Sequence, residues 1–225
     1  MNLIARWALA LYGISLLVVG GLVAIVIQFR VPNPEELLRD VADRRPMWIA
    51  ANALLIVQQV ALVVAAPALG RLVAARSAVA ADAVRGLLAI AAGAFIASGT
   101  FHGVLGAHLA SEVTAGPLAP DLVRSARVVH ALGDTTWFIG LGALTAMTAV
   151  CAVVWWRADD RGTRWRARLG AAAVAVGCLQ YGWFVAHVLG LFAVPGALLQ
   201  SLWFVAVAAS TTGLPPAPVV EAPTS

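Results

Sequence analysis

Six long apolar stretches divide this chain, and they constrain its fold more than any other feature. Each contains about 18 to 29 residues, and a helix needs about 20 apolar residues to cross the roughly 30 Å hydrocarbon core of a bilayer. None shows the period-two alternation of lipid-facing barrel strands. The sequence therefore predicts an all-α fold, a polytopic transmembrane helical bundle of six spans. The predicted spans are approximately 7–29, 47–69, 86–110, 128–156, 169–192 and 195–212.

The composition excludes the main soluble classes. Hydrophobic residues make up 61% of the 225 residues and charged residues only 12%, against about 25% charged in soluble domains. A soluble domain of this size cannot bury so much apolar surface, because its own surface has to be wetted. A cytosolic globule, a disordered chain and a disulfide scaffold are therefore excluded. We predict one transmembrane domain over 1–212 and a disordered tail over 213–225.

The arginines predict the orientation of the spans. All 15 basic residues are arginine, which together with abundant Ala, Val, Leu and Gly is typical of a bacterial genome rich in G and C. Six spans place nine arginines on one side and six on the other, and the richer side is expected to be cytoplasmic. We therefore predict a multi-pass protein of the bacterial plasma (inner) membrane with both termini in the cytoplasm. The nine are Arg6, Arg71, Arg76, Arg85, Arg157, Arg161, Arg164, Arg166 and Arg168.

The net charge of +4 does not indicate a nucleic-acid partner, because the arginines lie between apolar stretches. The predicted partners are the lipid bilayer and, for the arginine-rich loop 156–168, anionic lipid headgroups. On the other side, the segment 31–46 begins a helix after Asn33, which we place on the outer surface; a solvated loop is the alternative. The loop 111–127 is predicted to be irregular.

Small residues in the third span predict close helix packing. Gly99 and Gly103 are four residues apart, a spacing that lets a neighbouring helix approach. Packing within one chain is the first interpretation and a dimer interface is the second.

All four histidines are predicted to lie in the outer half of the membrane, on three consecutive spans. His102 and His108 belong to the third span, His130 to the fourth and His187 to the fifth. Asp134 lies one helical turn after His130, so the two share a face. Ionisable groups are costly in lipid, and mutual contact lowers that cost. We therefore expect His102, Asp134 and His187 to point into one common cavity with His130 at its outer rim.

Four kinds of chemistry fit this cluster. Histidine and carboxylate ligands suit zinc, so His102, Asp134, His187 and His130 form a candidate metal site. Two histidines on facing helices suit haem b. The same groups suit proton transfer near the outer surface, and a purely structural role is the fourth alternative.

These alternatives leave the function and any enzymatic activity open at the sequence level. The first hypothesis is an integral membrane protein that is a binding, transport or accessory component. The alternative is an intramembrane metal-dependent hydrolase or a b-type haem protein that uses the histidine and aspartate cluster.

Two resemblances accompany this interpretation. An arginine followed by an apolar first span, here Arg6 before Tyr12 and Gly13, and a long outer loop before the second span resemble small, uncharacterised six-span bacterial membrane proteins. That resemblance covers most of the chain and implies no activity.

The second resemblance is local. Ser98 and His102, in a Ser-x3-His spacing, resemble an element of the ceramidase and progestin-receptor-like membrane hydrolases. That resemblance implies zinc held by histidines, with Asp134 in the place of the group's aspartate. The group has seven spans and a His-x3-His pair in its last span, a pair that this sequence lacks.

Overall fold

The computed structural model describes residues 3–27, 33–114, 116–156, 158–181 and 193–209, and within them the chain is helical with no strand. This confirms the all-α prediction. The elements are α1 (Leu3–Ile27), α2 (Pro34–Asp43), α3 (Arg45–Ala74), α4 (Ala78–Gly99), the π-helical segment (Thr100–Gly106), α5 (Ala107–Ala110), α6 (Pro120–Trp156), α7 (Arg161–Tyr181) and α8 (Ala193–Ala209). Helices α4 and α5 are continuous through the π-helical segment and form one helix, Ala78–Ala110.

The long helices form a closed ring in chain order. Helix α1 packs against α3, α3 against α4, α4 against α6, α6 against α7, α7 against α8, and α8 returns to α1. One apolar core fills the ring, and every one of these helices contributes to it. Representative core residues are Tyr12, Leu62, Phe95, Met147, Ala167 and Trp203.

The outward faces of the ring are apolar. Three helices are long and apolar enough to cross a membrane: Arg45–Ala74, Ala78–Ala110 and Pro120–Trp156. In the most apolar 18-residue stretch of each helix, only 33%, 33% and 39% of the residues are buried. Large aliphatic side chains on these helices are instead exposed, among them Val60, Ile90 and Val153 at 64%, 52% and 74%.

Each of the six apolar stretches lies in a helix as far as the chain is described. The stretches in α1 and α8 contribute the shorter apolar helices Leu3–Val18 and Pro195–Ala209. The stretch 169–192 is described only as far as Tyr181, the last residue of α7. Residues 182–192 and the tail predicted to be disordered lie outside the described residues.

The predicted helix after Asn33 is α2. The Asn33 side chain caps it, because its Oδ1 accepts a hydrogen bond from the Glu35 N–H at 3.2 Å. Proline follows at the first helical position, where its missing N–H costs nothing. Leu38 and Val41 are buried against the end of the ring, in a small apolar cluster with Trp48 and Ala126. Helix α2 is therefore a lid on that end, with its charged face outward.

The prediction of an irregular segment over 111–127 is wrong for its second half. Helix α6 begins at Pro120, eight residues before the predicted fourth span. Proline's fixed φ suits the first helical position, and Asp121 in the first turn suits the positive end of the helix dipole. Pro120, which also suits a loop, therefore starts a helix here.

The two ends of the ring differ in charge. Short connections place the α3–α4 and α6–α7 junctions at one end, which we call the arginine-rich end, and an ion pair of 3.8 Å between Arg76 and Asp160 joins them. The described arginines near this end are Arg6, Arg71, Arg76, Arg85, Arg161, Arg164, Arg166 and Arg168, with only Asp82, Asp159 and Asp160 as acids. The opposite end carries Arg39, Arg44, Arg45, Arg124 and Arg127 among Glu35, Glu36, Asp40, Asp43, Glu112 and Asp121.

Asp160 also caps the start of α7. Its Oδ1 accepts the Thr163 N–H at 2.6 Å. Hydrogen bonds from Thr163, reinforced by the positive charges of Arg166 and Arg76, hold the pKa of Asp160 below its ordinary value. The carboxylate form therefore stabilises this junction.

Candidate functional site

The candidate site begins where α4 changes into the π-helical segment, a change that occurs frequently at functional sites. The backbone of α3 lies against this region because the glycines there have no side chains. A Cβ atom added to Gly99 would lie 2.8 Å from Ile56, and one added to Gly103 would lie 2.5 Å from Asn52. The predicted close packing at Gly99 and Gly103 is therefore formed within the chain, against α3.

His102 lies in the π-helical segment and bridges two polar groups. Its Nε2 is 3.3 Å from Oδ1 of Asp134 on α6. Its Nδ1 is 3.4 Å from Oγ of Ser98, one turn earlier on α4. Ser98 is fully buried, and its hydroxyl donates a hydrogen bond of 2.9 Å to the backbone oxygen of Gly133. One imidazole thus connects a buried hydroxyl to a carboxylate.

Gly133 makes room for this ring. A Cβ atom there would overlap the His102 imidazole, with Nε2 the nearest atom. Helix α6 therefore turns Gly133 toward α4, and the side chains on either side of it along the helix, His130 and Asp134, flank the His102 ring. The sequence did not single out Gly133, although a glycine within a long helix marks a position where a neighbour can approach closely.

A second histidine and a tryptophan complete the cluster. The rings of His130 and His102 are 5.3 Å apart between centroids. Trp48 of α3 lies edge-on to both imidazoles, at 6.3 Å from each. The Nε2 atom of His130 is buried and has no hydrogen-bond partner among the described residues.

Three of the four predicted site residues therefore meet: His102, His130 and Asp134. The fourth, His187, lies outside the described residues. His108 is exposed and takes no part.

The side chains of the cluster differ in exposure. The side chain of Asp134 is 66% exposed, whereas that of His102 is 12% exposed and Nε2 of His130 is buried. Asp134 therefore lies at the surface of the bundle and His130 within it, whereas we expected Asp134 to point inward and His130 to lie at the outer rim.

The site also contains groups able to bind a metal ion, although their number is small. In the described part of the chain, no three His, Cys, Asp or Glu side chains are placed to hold a metal ion together. The nitrogen ligands on offer are Nε2 of His130, which has no hydrogen-bond partner among the described residues, and Nε2 of His102, which faces Asp134. The zinc and haem hypotheses stay predictions.

Further polar side chains lie in the core beyond this cluster. Gln58 and Gln59 of α3 are 3% and 0% exposed, and Gln58 has no hydrogen-bond partner for either amide atom among the described residues. Gln200 of α8 donates a hydrogen bond of 2.7 Å to Oγ1 of Thr148 on α6. The hydroxyl of Tyr12 on α1 is buried without a described partner. Polar atoms in such numbers are unusual in an otherwise apolar core.

Comparisons with known proteins add no relative to this geometry. No family model, no curated protein and no solved structure matches the chain. The function is therefore inferred from the site itself.

Proposed function

We propose that this chain is a six-span integral protein of the bacterial inner membrane. The support is the apolar outer surface of the ring, where large apolar side chains are exposed on every one of its helices, whereas soluble monomers rarely expose large contiguous apolar patches. Lipid is the environment that covers such a surface at no cost. Three helices already have the length to span it, and α1, α7 and α8 complete the same ring.

Charge and aromatic residues support an orientation with the arginine-rich end in the cytoplasm. Arginine is concentrated at that end, as the positive-inside tendency requires. Trp7, Trp156 and Trp165 lie at the same end and are 62%, 54% and 60% exposed. Exposed tryptophan is typical of the level of lipid headgroups. Both termini are then cytoplasmic, and the histidine cluster lies toward the outer face.

We further propose that the cluster is a proton-transfer site, and the bridging position of His102 carries this proposal. Ser98 donates its only hydrogen to Gly133, so the Ser98 oxygen can only accept from Nδ1 of His102. That assignment leaves Nε2 of a neutral His102 as a lone pair facing the Asp134 carboxylate. One added proton between Nε2 and Oδ1 turns this repulsion into a hydrogen bond.

The low polarity of the bilayer also favours the state in which the His102 and Asp134 pair carries this added proton. Without it, the pair carries a net negative charge on the surface of the bundle, within the predicted fourth span, where a charge is costly. With it, the pair is neutral overall, either as imidazolium and carboxylate or as imidazole and carboxylic acid. The pair can therefore share one proton, and the imidazole of His130 lies beside it, 5.3 Å from the His102 ring between centroids.

The function that follows is proton transport through the bundle, with Asp134 at the entrance and His102 as the relay. The buried polar groups of Gln58, Gln59 and Tyr12 extend the polar interior beyond the cluster. Internal waters commonly satisfy such atoms, and they also conduct protons.

Proton flux into liposomes tests this proposal. Purified protein is reconstituted with an internal pH indicator, and a potassium gradient with valinomycin supplies the driving potential. We expect wild-type vesicles to acidify faster than protein-free vesicles. His102→Gln should lower that rate about 100-fold or more, the contribution of a positioned proton-transfer group. His108→Gln, which changes an exposed histidine outside the cluster, should leave the rate unchanged.

Two results would reject the proton pathway. In one, wild-type vesicles acidify no faster than protein-free vesicles. In the other, His102→Gln and His108→Gln behave alike.

A metal or haem site is the second candidate, favoured by the buried Nε2 of His130 beside the His102 ring. Elemental analysis and an absorption spectrum of the purified protein test it. Stoichiometric zinc that is lost in His130→Gln would support the hydrolase hypothesis, and a Soret band would support haem. If the purified protein shows neither zinc nor a Soret band, this candidate is rejected.

A further inference from the structure

We propose that the outward face of the first two turns of α7 binds the headgroup of a phospholipid that carries two phosphate groups. The inference depends on the proposed membrane arrangement and names a lipid partner for it. Arg161, Arg164, Trp165 and Arg168 follow one another at i, i+3, i+4 and i+7, so they share one face of the helix. All four are exposed.

The charges of this face are not neutralised within the described part of the chain. None of its three arginines has a carboxylate within 4.0 Å there, although Asp159 and Asp160 lie next to them in sequence. The carboxylate of Asp160 is turned to Arg76 and to the Thr163 N–H. Arg164 reaches only a backbone oxygen, that of Asp159, at 3.3 Å.

Arg166 lies on the same helix but differs from these three arginines in what its guanidinium contacts. It points to the other side of α7, where its guanidinium lies 5.7 Å from the centroid of the Trp155 ring and donates to Oγ1 of Thr163 at 2.8 Å. Its charge is therefore used within the fold, whereas the charges of the other three arginines are available to a ligand.

The shape of the face fits a headgroup at the membrane surface. The four side chains line a groove of about 470 Å³, open on one side. Trp165, 60% exposed, supplies the flat amphipathic ring that prefers the headgroup level.

The spacing of the arginines favours two phosphates over one. Arg168 is seven positions after Arg161 in the helix, which corresponds to a rise of about 10 Å. Three guanidinium groups anchored over that distance can contact two phosphates at once. A doubly charged phospholipid such as cardiolipin matches the number and the spread of the charges, and basic pockets on the cytoplasmic side are known to hold such headgroups.

Lipid titration of the detergent-solubilised full-length protein tests the inference. Cardiolipin and phosphatidylglycerol are compared at equal phosphate concentration, and bound lipid is counted by native mass spectrometry. The test variant combines Arg161→Gln, Arg164→Gln and Arg168→Gln. Its control removes the same charge at the opposite end through Arg45→Gln, Arg124→Gln and Arg127→Gln.

We expect wild type to bind cardiolipin more tightly than phosphatidylglycerol. The test variant should bind it on the order of 100-fold more weakly, since each arginine near a membrane surface contributes about 1 kcal/mol and about 1.4 kcal/mol corresponds to tenfold. The control variant should bind like wild type. Equal binding by the two variants, or no preference for cardiolipin, would overturn the inference.

Carbonate extraction of the cell membranes distinguishes a wrong lipid site from a wrong membrane arrangement. Protein that stays in the membrane but shows no lipid preference refutes the lipid site alone. Protein released by carbonate refutes the membrane arrangement as well.

Discussion

The indole Nε1 of Trp48 donates a hydrogen bond of 2.7 Å to the backbone oxygen of His102, inside the π-helical segment. A π-helix pairs each carbonyl with an N–H five residues later rather than four. Trp48, only 4% exposed, holds this carbonyl from a different helix. The position of the His102 ring between Ser98 and Asp134 therefore depends on a side chain of α3.

Replacing Trp48 by phenylalanine tests this dependence. The ring contacts are largely kept, while the hydrogen bond is lost at a cost of about 1 kcal/mol. We expect faster amide hydrogen exchange over residues 100–106 and a lower unfolding midpoint. Trp7→Phe is the matched control, because Trp7 is 62% exposed and outside the cluster. Unchanged exchange over 100–106 in Trp48→Phe would contradict the dependence.

Gly133→Ala should displace the His102 ring, because the added Cβ occupies its position. Overpacking of this kind costs about 1 to 3 kcal/mol, which a thermal unfolding curve in detergent would detect. Gly93→Ala is the control: nothing lies within 4 Å of its added Cβ, and alanine should stabilise the helix by up to about 1 kcal/mol. If both variants unfold at the same temperature, Gly133 does not make room for the ring.

Ser98→Ala removes the acceptor for Nδ1 of His102. We expect the variant to fold, with a loss of about 1 kcal/mol in stability, and proton flux into liposomes to fall. Ser201→Ala, which removes a hydroxyl that donates to Ala197 of its own helix, is the matched control and should keep its flux. Wild-type flux in Ser98→Ala would show that the tautomer assigned to His102 is irrelevant to transfer.

Acidification should loosen the start of α7. Because the pKa of Asp160 is lowered in the folded protein, its contribution to stability is complete above the ordinary carboxyl pKa and is lost as the pH falls through the lowered value. The Thr163 amide should then lose its protection against hydrogen exchange, and this loss should occur at a pH below the ordinary pKa of an aspartate. Asp160→Asn keeps a capping oxygen and should remove the pH dependence; persistence of that dependence would assign it to another group.

The helices could be predicted from the sequence because their signals are local. A run such as 47–69 has few ways to satisfy its backbone other than a helix, and Asn33 before Pro34 is a local start signal that α2 obeys. The start of α6 at Pro120 was missed because proline and glycine indicate both loops and helix starts, and sequence alone does not distinguish them there.

The sequence predicted that His102, His130 and Asp134 lie near one another, but not how they are arranged. Helical spacing fixes the angle between His130 and Asp134 on one helix, but it leaves open how that helix is rotated about its axis. That rotation is set by contacts between helices, here the close approach of Gly133 to His102, and it turns Asp134 outward. The π-helical segment, in which Gly103 packs against Asn52 of α3, was not predicted either.

The most direct test of the central claim, six spans with the histidine cluster toward the outer face, is a set of reporter fusions. An enzyme active only outside the cytoplasm is fused after Asp40, after Pro120 and after Gly162. The account predicts activity for the first two fusions and none for the third, because α2 and the start of α6 lie at the outer end and the start of α7 at the arginine-rich end. Activity only after Gly162 would invert the orientation, and equal activity at all three positions would contradict the six-span arrangement.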